Sequence, residues 1–148
     1  MRLMATTWAE TTLASIRSRG HRDSAARRAV VELLGGQDCC LTAQEIFDLL
    51  RASDRRVGIA SVYRILEQLT RDGFVQRVEV GDGTARYEPA HASGEHHHHL
   101  VCDDCGRVVA FEDEPLEQAL EGLSKRLGHE IAAHDVVLRG ECSDCRAA

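Results

Sequence analysis

The stretch "IASVYRILEQLTRDGFVQRVEVGDGTARYE", residues 59–88, changes its hydrophobic period part-way along, and that change decides the fold. Val62, Ile65, Leu66 and Leu69 recur at helical spacing and make one apolar stripe, while Tyr63, Arg64, Gln68 and Arg71 face elsewhere. From Phe74 the period falls to two. "FVQRVEV", the glycine turn "GDG" and "TARYE" read as a β-hairpin, the Asp-Gly pair being a strong turn signal.

Upstream lie the helices that this hairpin would flank. "TTWAETTLASIRSRG" offers an N-cap threonine, apolar Trp8, Leu13 and Ile16, and a stop at Gly20. "SAARRAVVELLGG" starts at a Ser24 cap and ends in two glycines. "TAQEIFDLL" carries a capping box, Thr42 with Glu45, ahead of Ile46, Leu49 and Leu50. Short helices and then a hairpin outline a winged helix-turn-helix, although the pattern alone fits equally a small α+β domain with no role on DNA. "PAHASGE", residues 89–95, has the composition of a hinge.

Beyond it, "HHHHLVC" and "RVVAF" read as strands around a "DDCG" turn. "EPLEQALEGLSKRLG" is a helix with Pro115 in its first turn, acids early, Lys125 and Arg126 late, and a stop at Gly128. "EIAAHDVVLRGEC" is expected as a third strand, and the chain closes on "CSDC". The expected fold class is α+β, with an N-terminal winged helix-turn-helix domain over residues 1–88, a hinge over 89–95 and a small α/β domain over 96–148.

The formal net charge of −6 argues against a nucleic-acid partner until it is divided along the chain. Residues 1–80 hold twelve arginines and no lysine against ten acids, whereas residues 81–148 hold six basic residues against fourteen acids. An arginine-only first half can present a basic face; the acidic half suits cations. No apolar run approaches the roughly 18 residues a membrane span needs, and the start lacks the apolar core of a signal peptide, so a cytoplasmic protein is expected. In a reducing compartment six cysteines point to metal ligands or redox centres rather than disulfides.

Cys102 and Cys105, then Cys142 and Cys145, form two Cys-x-x-Cys pairs separated by 36 residues. Two such turns complete a tetrahedral tetrathiolate of the kind zinc prefers, with no open position for a substrate. A thioredoxin-like centre would need only one pair in a βαβ setting.

Four of the eight histidines, His96, His97, His98 and His99, stand in a row just ahead of the first pair. A purification tag and a solvated loop tip are the plain alternatives, but tags sit at termini, and the thiols close behind argue for metal. If residues 96–102 are extended, His97 and His99 point one way while His96 and His98 point the other, so one run can feed two metal sites. Partners could come from Glu88, His91, Cys39, Cys40, Glu117 or His134. His21 and His129 have no such neighbours and read as structural. Imidazole suits zinc, nickel, copper and ferrous iron, so the run does not choose its metal.

The chain resembles the ferric-uptake-regulator superfamily of bacterial metal-dependent repressors. "VGIASVYRILEQLTRDGFV", the histidine run with "LVCDDCG", and the closing "GECSDC" carry the likeness, which extends from about residue 12 to 145. It implies a homodimer in which each subunit joins a winged helix to a dimerisation domain. By family position the structural zinc falls on Cys102, Cys105, Cys142 and Cys145, and a second, inner metal site on His96, His98, Glu117 and His134. The hinge-region regulatory site falls on His97 and His99, completed from among His91, Glu88 and Cys40. Zinc-sensing members tend to carry a cysteine where His91 stands, Glu88 sits near the acid of iron-type members, and Cys40 lies near a family histidine. The peroxide-sensing subgroup uses an aspartate at about Ala110, which argues against peroxide sensing. "SAARR" departs from the usual Thr-Pro-Gln-Arg, though Arg27 remains.

The resemblance implies a metal-responsive repressor of metal-homeostasis genes, not an enzyme, bound to double-stranded DNA at a palindromic operator. A structural Zn2+ and a regulatory divalent metal are expected, zinc in preference to iron, with no membrane and no small organic substrate as partner. Tyr63 and Arg64 are the expected base or phosphate contacts, Ser61 a phosphate contact, and Arg22 a minor-groove arm. The rival is a zinc-dependent hydrolase or metal carrier built on the histidine run, which would need an open coordination position and would leave "SVYRILEQL" without a use.

Overall fold

The computed structural model describes residues 6–91 and 96–148. Of the expected hinge, residues 92–95 therefore lie outside the described residues, as do residues 1–5 of the first domain. The chain divides into two compact units, Met1–Ser93 and Gly94–Ala148.

In the first unit the order is α1 (Trp8–Ser18), α2 (Ala25–Gly35), β1 (Leu41–Thr42), α3 (Ala43–Ala52), α4 (Ile59–Arg71), β2 (Val75–Glu79) and β3 (Ala85–Pro89). Each of the first three helices starts where a side-chain oxygen takes up an orphan backbone N–H. Thr7 and Glu10 form a reciprocal capping box on α1, and Ser24 Oγ accepts from the Arg27 N–H at 3.1 Å on α2. On α3, Thr42 Oγ1 accepts from the Glu45 N–H at 3.1 Å while the Glu45 carboxylate accepts from the Thr42 N–H at 2.7 Å. The α4 stripe, Val62, Ile65, Leu66 and Leu69, is buried against Leu13, Ile16, Val30, Leu34, Ile46 and Leu50. Each fully buried aliphatic side chain contributes roughly 1.5–3 kcal/mol, so this unit carries a core of its own.

The sheet of this unit runs β1-β3-β2, all neighbours antiparallel. Sequence periodicity misses β1 because two residues show no period; its pairing, Leu41 with Tyr87 and Thr42 with Arg86, is what reveals it. The wing turn has Gly81 and Gly83 at positive φ, 86° and 78°. Between them the Asp82 carboxylate accepts from the Thr84 N–H and from both terminal nitrogens of Arg86, at 2.8 to 3.0 Å. The Arg86 guanidinium holds the Asp82 carboxyl down to about 2. The hairpin continues past the expected domain end at residue 88: Pro89 lies in β3 and the Ala90 N–H still donates to Phe74 O at 2.9 Å.

The second unit runs β4 (His98–Cys102), β5 (Val108–Phe111), α5 (Glu114–Leu127), β6 (Val137–Gly140) and α6 (Ser143–Arg146). In its sheet, β5-β4-β6, the first pair is antiparallel and the second parallel, with α5 on the connection between β5 and β6. Asp113 caps α5 through the Leu116 N–H, and Gly128, at φ 65°, ends it.

Two strand expectations need correction. β4 begins at His98 rather than residue 96, and β6 covers only Val137–Gly140 instead of the whole of residues 130–142. Pairing sets both limits: His98 is the first β4 residue with a partner, opposite Phe111, and β6 pairs from Val137, opposite His99, with the His99 N–H donating to Val136 O at 3.1 Å where that ladder begins. His134 therefore sits in the connection ahead of the strand. The one-turn helix α6, which carries Cys145, has no sequence signal beyond the spacing of its thiols.

Little apolar surface is buried here. Among the described residues, Val101 and Cys102 are the buried apolar side chains of this unit, and α5 buries none of its residues. Leu100 is paired with Val109 on one side and Leu138 on the other, a row across the sheet whose members are 45 to 48% exposed. No helix among the described residues is long and apolar enough to cross a membrane.

Candidate metal centres and nucleic-acid face

The turn after β4 aims the sulfurs of Cys102 and Cys105 at those of Cys142 and Cys145, which bracket the start of α6; all four lie within 4.8 Å of one another. Cys102 Sγ is 3.7 Å from Cys145 Sγ, and Cys105 Sγ 3.9 Å from Cys142 Sγ. A zinc tetrathiolate with bonds of about 2.3 Å has tetrahedral edges of about 3.8 Å, so the donor set fits that ion. The backbone N–H groups of Cys105 and Cys142 point at the Cys102 sulfur, the latter from 3.3 Å, and lower its pKa to about 6. Cys145, with the sulfurs of Cys142 and Cys102 against it, is pushed up to about 12. One thiolate opposes the next, and a divalent cation in their midst removes that opposition.

A second cluster joins β4 to α5. The Nε2 atoms of His96, His98 and His134 converge on the Glu117 carboxylate, at 3.4, 2.5 and 3.0 Å, and His96 Nε2 stands 3.2 Å from His134 Nε2. The hydrogen bond from His98 holds the Glu117 carboxyl below its usual range. His98 is 1% exposed and its Nδ1 is buried without a hydrogen-bond partner among the described residues, a costly arrangement for a ring serving only as filling. Three imidazoles and one carboxylate are a donor set for zinc or another first-row divalent ion.

His97 and His99 turn to the other side of the run, their ring centroids 5.0 Å apart. In the N-terminal unit Cys39, Cys40 and Glu88 bring one donor atom each within 4.8 Å of one another. Glu88 is 1% exposed and accepts from the Gln76 side-chain amide, an orienting contact that sequence spacing does not reveal. The Cys39 thiol beside it, and then burial, push the Cys40 thiol well above its ordinary value. His91 does not join this group. It is exposed and lines a separate cleft with Trp8, Arg19 and Phe74. The reason is register, since Glu88 and His91 are three residues apart and the antiparallel pairing of β3 ends at Pro89.

On the outer face of α4, Tyr63 is 53% exposed, and the exposed Arg64 donates from Nη2 to Ser61 Oγ at 3.1 Å. Ser61 is half-buried and orients that guanidinium. Arg22 is exposed ahead of α2, and its carbonyl accepts from Arg27 Nη1. Arg27 Nη2 also donates to Gln68 Oε1 at 2.7 Å, so this side chain ties the segment before α2 to α4.

A winged helix coupled to a thiol- and imidazole-rich α+β unit defines a class, the metal-responsive DNA-binding regulators. The chain belongs to the ferric uptake regulator family, whose sequence profile matches residues 18–139. It is 32% identical over 132 residues to the ferric uptake regulation protein of Helicobacter pylori, covering 89% of this chain and 87% of that one. With the Bacillus subtilis protein of the same name the identity is 33% over 132 residues, 88% and 89% of the two chains. The solved structure of the Helicobacter pylori regulator, described as revealing three functional metal binding sites, matches with TM-score 0.81 and 30% identity over 99% of this chain and 97% of that one. A zinc-bound manganese uptake regulator matches with TM-score 0.77 and 26% identity over 93% and 99%. Members of the family are dimeric, DNA-binding transcription regulators and not enzymes, which removes the hydrolase alternative.

Proposed function

We propose that this chain is a cytoplasmic, dimeric repressor of metal-homeostasis genes that carries a structural zinc on Cys102, Cys105, Cys142 and Cys145 and takes zinc, in preference to iron, as co-repressor. The observation that carries the preference is the buried Cys40 thiol beside Glu88, because thiolate ligands favour zinc whereas ferrous and manganous sites favour imidazole and carboxylate. The regulatory set is His97 and His99 with Glu88 and Cys40. His96, His98, Glu117 and His134 form the inner site. The Helicobacter pylori relative is described with three functional metal binding sites, and three donor sets in this chain support the same arrangement.

Metal at the regulatory set ties the two histidines to groups of the DNA-binding unit, shifting the population toward one placement of the winged helices. In that placement α4 of each subunit lies in the major groove of a palindromic operator, the two copies of the helix about 34 Å apart. Tyr63 and Arg64 then face base edges or phosphate, Ser61 meets a phosphate beside Arg64, and Arg22 reaches toward the minor groove. A gel shift on promoter DNA with apo-protein and added zinc, ferrous iron, nickel or manganese tests the reading. Binding restored best by ferrous iron would remove zinc as co-repressor.

Arg64→Ala should weaken operator binding while zinc content stays unchanged. If Arg64 meets phosphate, the slope of log affinity against log salt should fall by roughly one. If it meets guanine, discrimination at one operator position should relax by about 1–3 kcal/mol. Equal affinity and equal sequence preference would take Arg64 out of the interface.

The Leu100, Val109 and Leu138 row supports placing subunit contacts on the second unit. Leu138→Glu would set a carboxylate into that apolar row. Sedimentation should then show the dimer dissociating, its constant weakened by at least about tenfold, as expected for losing one buried side chain of roughly 1.5–3 kcal/mol. A dimer of unchanged affinity would place the contact elsewhere.

A further inference from the structure

Adjacent residues on an extended chain send their side chains to opposite sides. Cys39 and Cys40 do not, for their Sγ atoms stand 3.7 Å apart. The chain bends at residues 38 and 39, between the end of α2 and the start of β1, and the bend swings both sulfurs to one side. The ladder then fixes what lies opposite: with Leu41 paired to Tyr87 in an antiparallel sheet, the next position outward sets Cys40 across from Glu88. Cys40 is 6% exposed and Glu88 1%, and the carboxylate donor lies within 4.8 Å of both sulfurs.

We infer that Cys39 and Cys40 act together as a vicinal dithiol which, with Glu88, makes the N-terminal unit by itself a binding site for one thiophilic divalent ion of the zinc and cadmium class. This rests on the reading above in taking Cys40 and Glu88 as regulatory ligands; Cys39 as a second sulfur is the addition. A separation of 3.7 Å is one edge of a tetrahedron around an ion with bonds of about 2.3 Å to sulfur, and the same spacing recurs between Cys102 and Cys145. Two sulfurs and a carboxylate are a poor set for manganese or magnesium, which favour oxygen ligands, and a good one for softer ions. The site would select its ion through the DNA-binding unit, before the histidines are engaged.

The test uses the full chain with its tetrathiolate first filled with zinc, titrated with cadmium. Thiolate-to-cadmium absorbance is followed in the near ultraviolet, zinc retention is measured in parallel, and alkylation is mapped cysteine by cysteine by mass spectrometry. The inference expects one cadmium per chain at this site, protection of both Cys39 and Cys40 from alkylation, and loss of about half the new absorbance in Cys39→Ser. Affinity in that variant should fall by at least about tenfold, the lower end of what losing a supporting group around a metal costs. Cys39 that stays alkylatable with cadmium bound, or a Cys39→Ser protein with unchanged absorbance and affinity, would overturn it. The alkylation arm needs no substitution, so it decides the matter even if the variant is unstable. Metal-dependent operator binding with Cys40 protected and Cys39 still alkylatable sinks the dithiol alone. Dithiol protection in a protein whose DNA binding ignores metal sinks the repressor mechanism alone.

Discussion

Cys142→Ser is expected to release one zinc ion per chain and to unfold Gly94–Ala148, while Met1–Ser93 keeps its helices. The asymmetry follows from where the apolar core lies. The first unit buries Leu34, Ile46, Leu66 and Leu69 almost completely, whereas the second buries Val101 and Cys102 among its described apolar side chains. Within one subunit so little burial cannot offset the conformational entropy of the unit, and zinc bound in small domains supplies roughly 10–16 kcal/mol. Serine is a poor replacement because a hard hydroxyl stays protonated at neutral pH and is a far weaker zinc ligand than a thiolate. Hydrogen exchange resolved by peptide should show residues 98–140 losing protection together and residues 8–71 retaining theirs. A strong chelator should do the same to the unaltered protein. Full zinc content with an unchanged melting profile in Cys142→Ser would rule out the structural role of the thiols.

Most of the N-terminal unit is legible in its sequence because local signals there agree with one another. Thr42 and Glu45 announce α3, the stripe from Val62 to Leu69 announces α4, and the glycines of "GDG" mark the wing. What escapes the sequence depends on pairing across distance. The strand β1 exists only by its register with β3, and the point where β6 begins is set by its register against β4. The same distinction runs through the donor residues. The Cys-x-x-Cys spacing carries its own geometry, since a tight turn fixes two sulfurs on one point. His134 and Glu117 are brought to His96 and His98 by a helix and a connection whose path no local pattern encodes; residue type makes them candidates, and the family resemblance assigns them to this set. His91 shows the converse failure: a suitable ligand type, close in sequence to Glu88, that the end of a ladder leaves in a different cleft. Cys39 is a candidate by type, and its convergence on Cys40 depends on a bend that two adjacent letters do not disclose.

His97→Ala and His99→Ala should behave as one class and His96→Ala and His98→Ala as another. His96 and His98 face Glu117 and His134, while the rings of His97 and His99 lie against each other on the opposite side. Coupling between two ligand sites is typically about 1–3 kcal/mol, a factor of roughly 5–150 in affinity, and the first class should lose that whole factor between apo and metal-loaded operator binding. Those proteins should stay folded and dimeric, because the proposed ion acts on the placement of the domains and not on the tetrathiolate. The second class should keep the response but need more metal and melt earlier. His98→Ala should suffer more than His96→Ala, since it empties a site 1% exposed against the Phe111 ring and leaves Glu117 without its shortest hydrogen bond. The measurement is operator affinity with and without metal for all four proteins, beside their thermal midpoints. Four variants sharing one graded phenotype, or pairing as 96 with 97 and 98 with 99, would show that the alternation does not divide function. The run would then have to be one site, and Glu117 and His134 would belong to the same switch as Cys40.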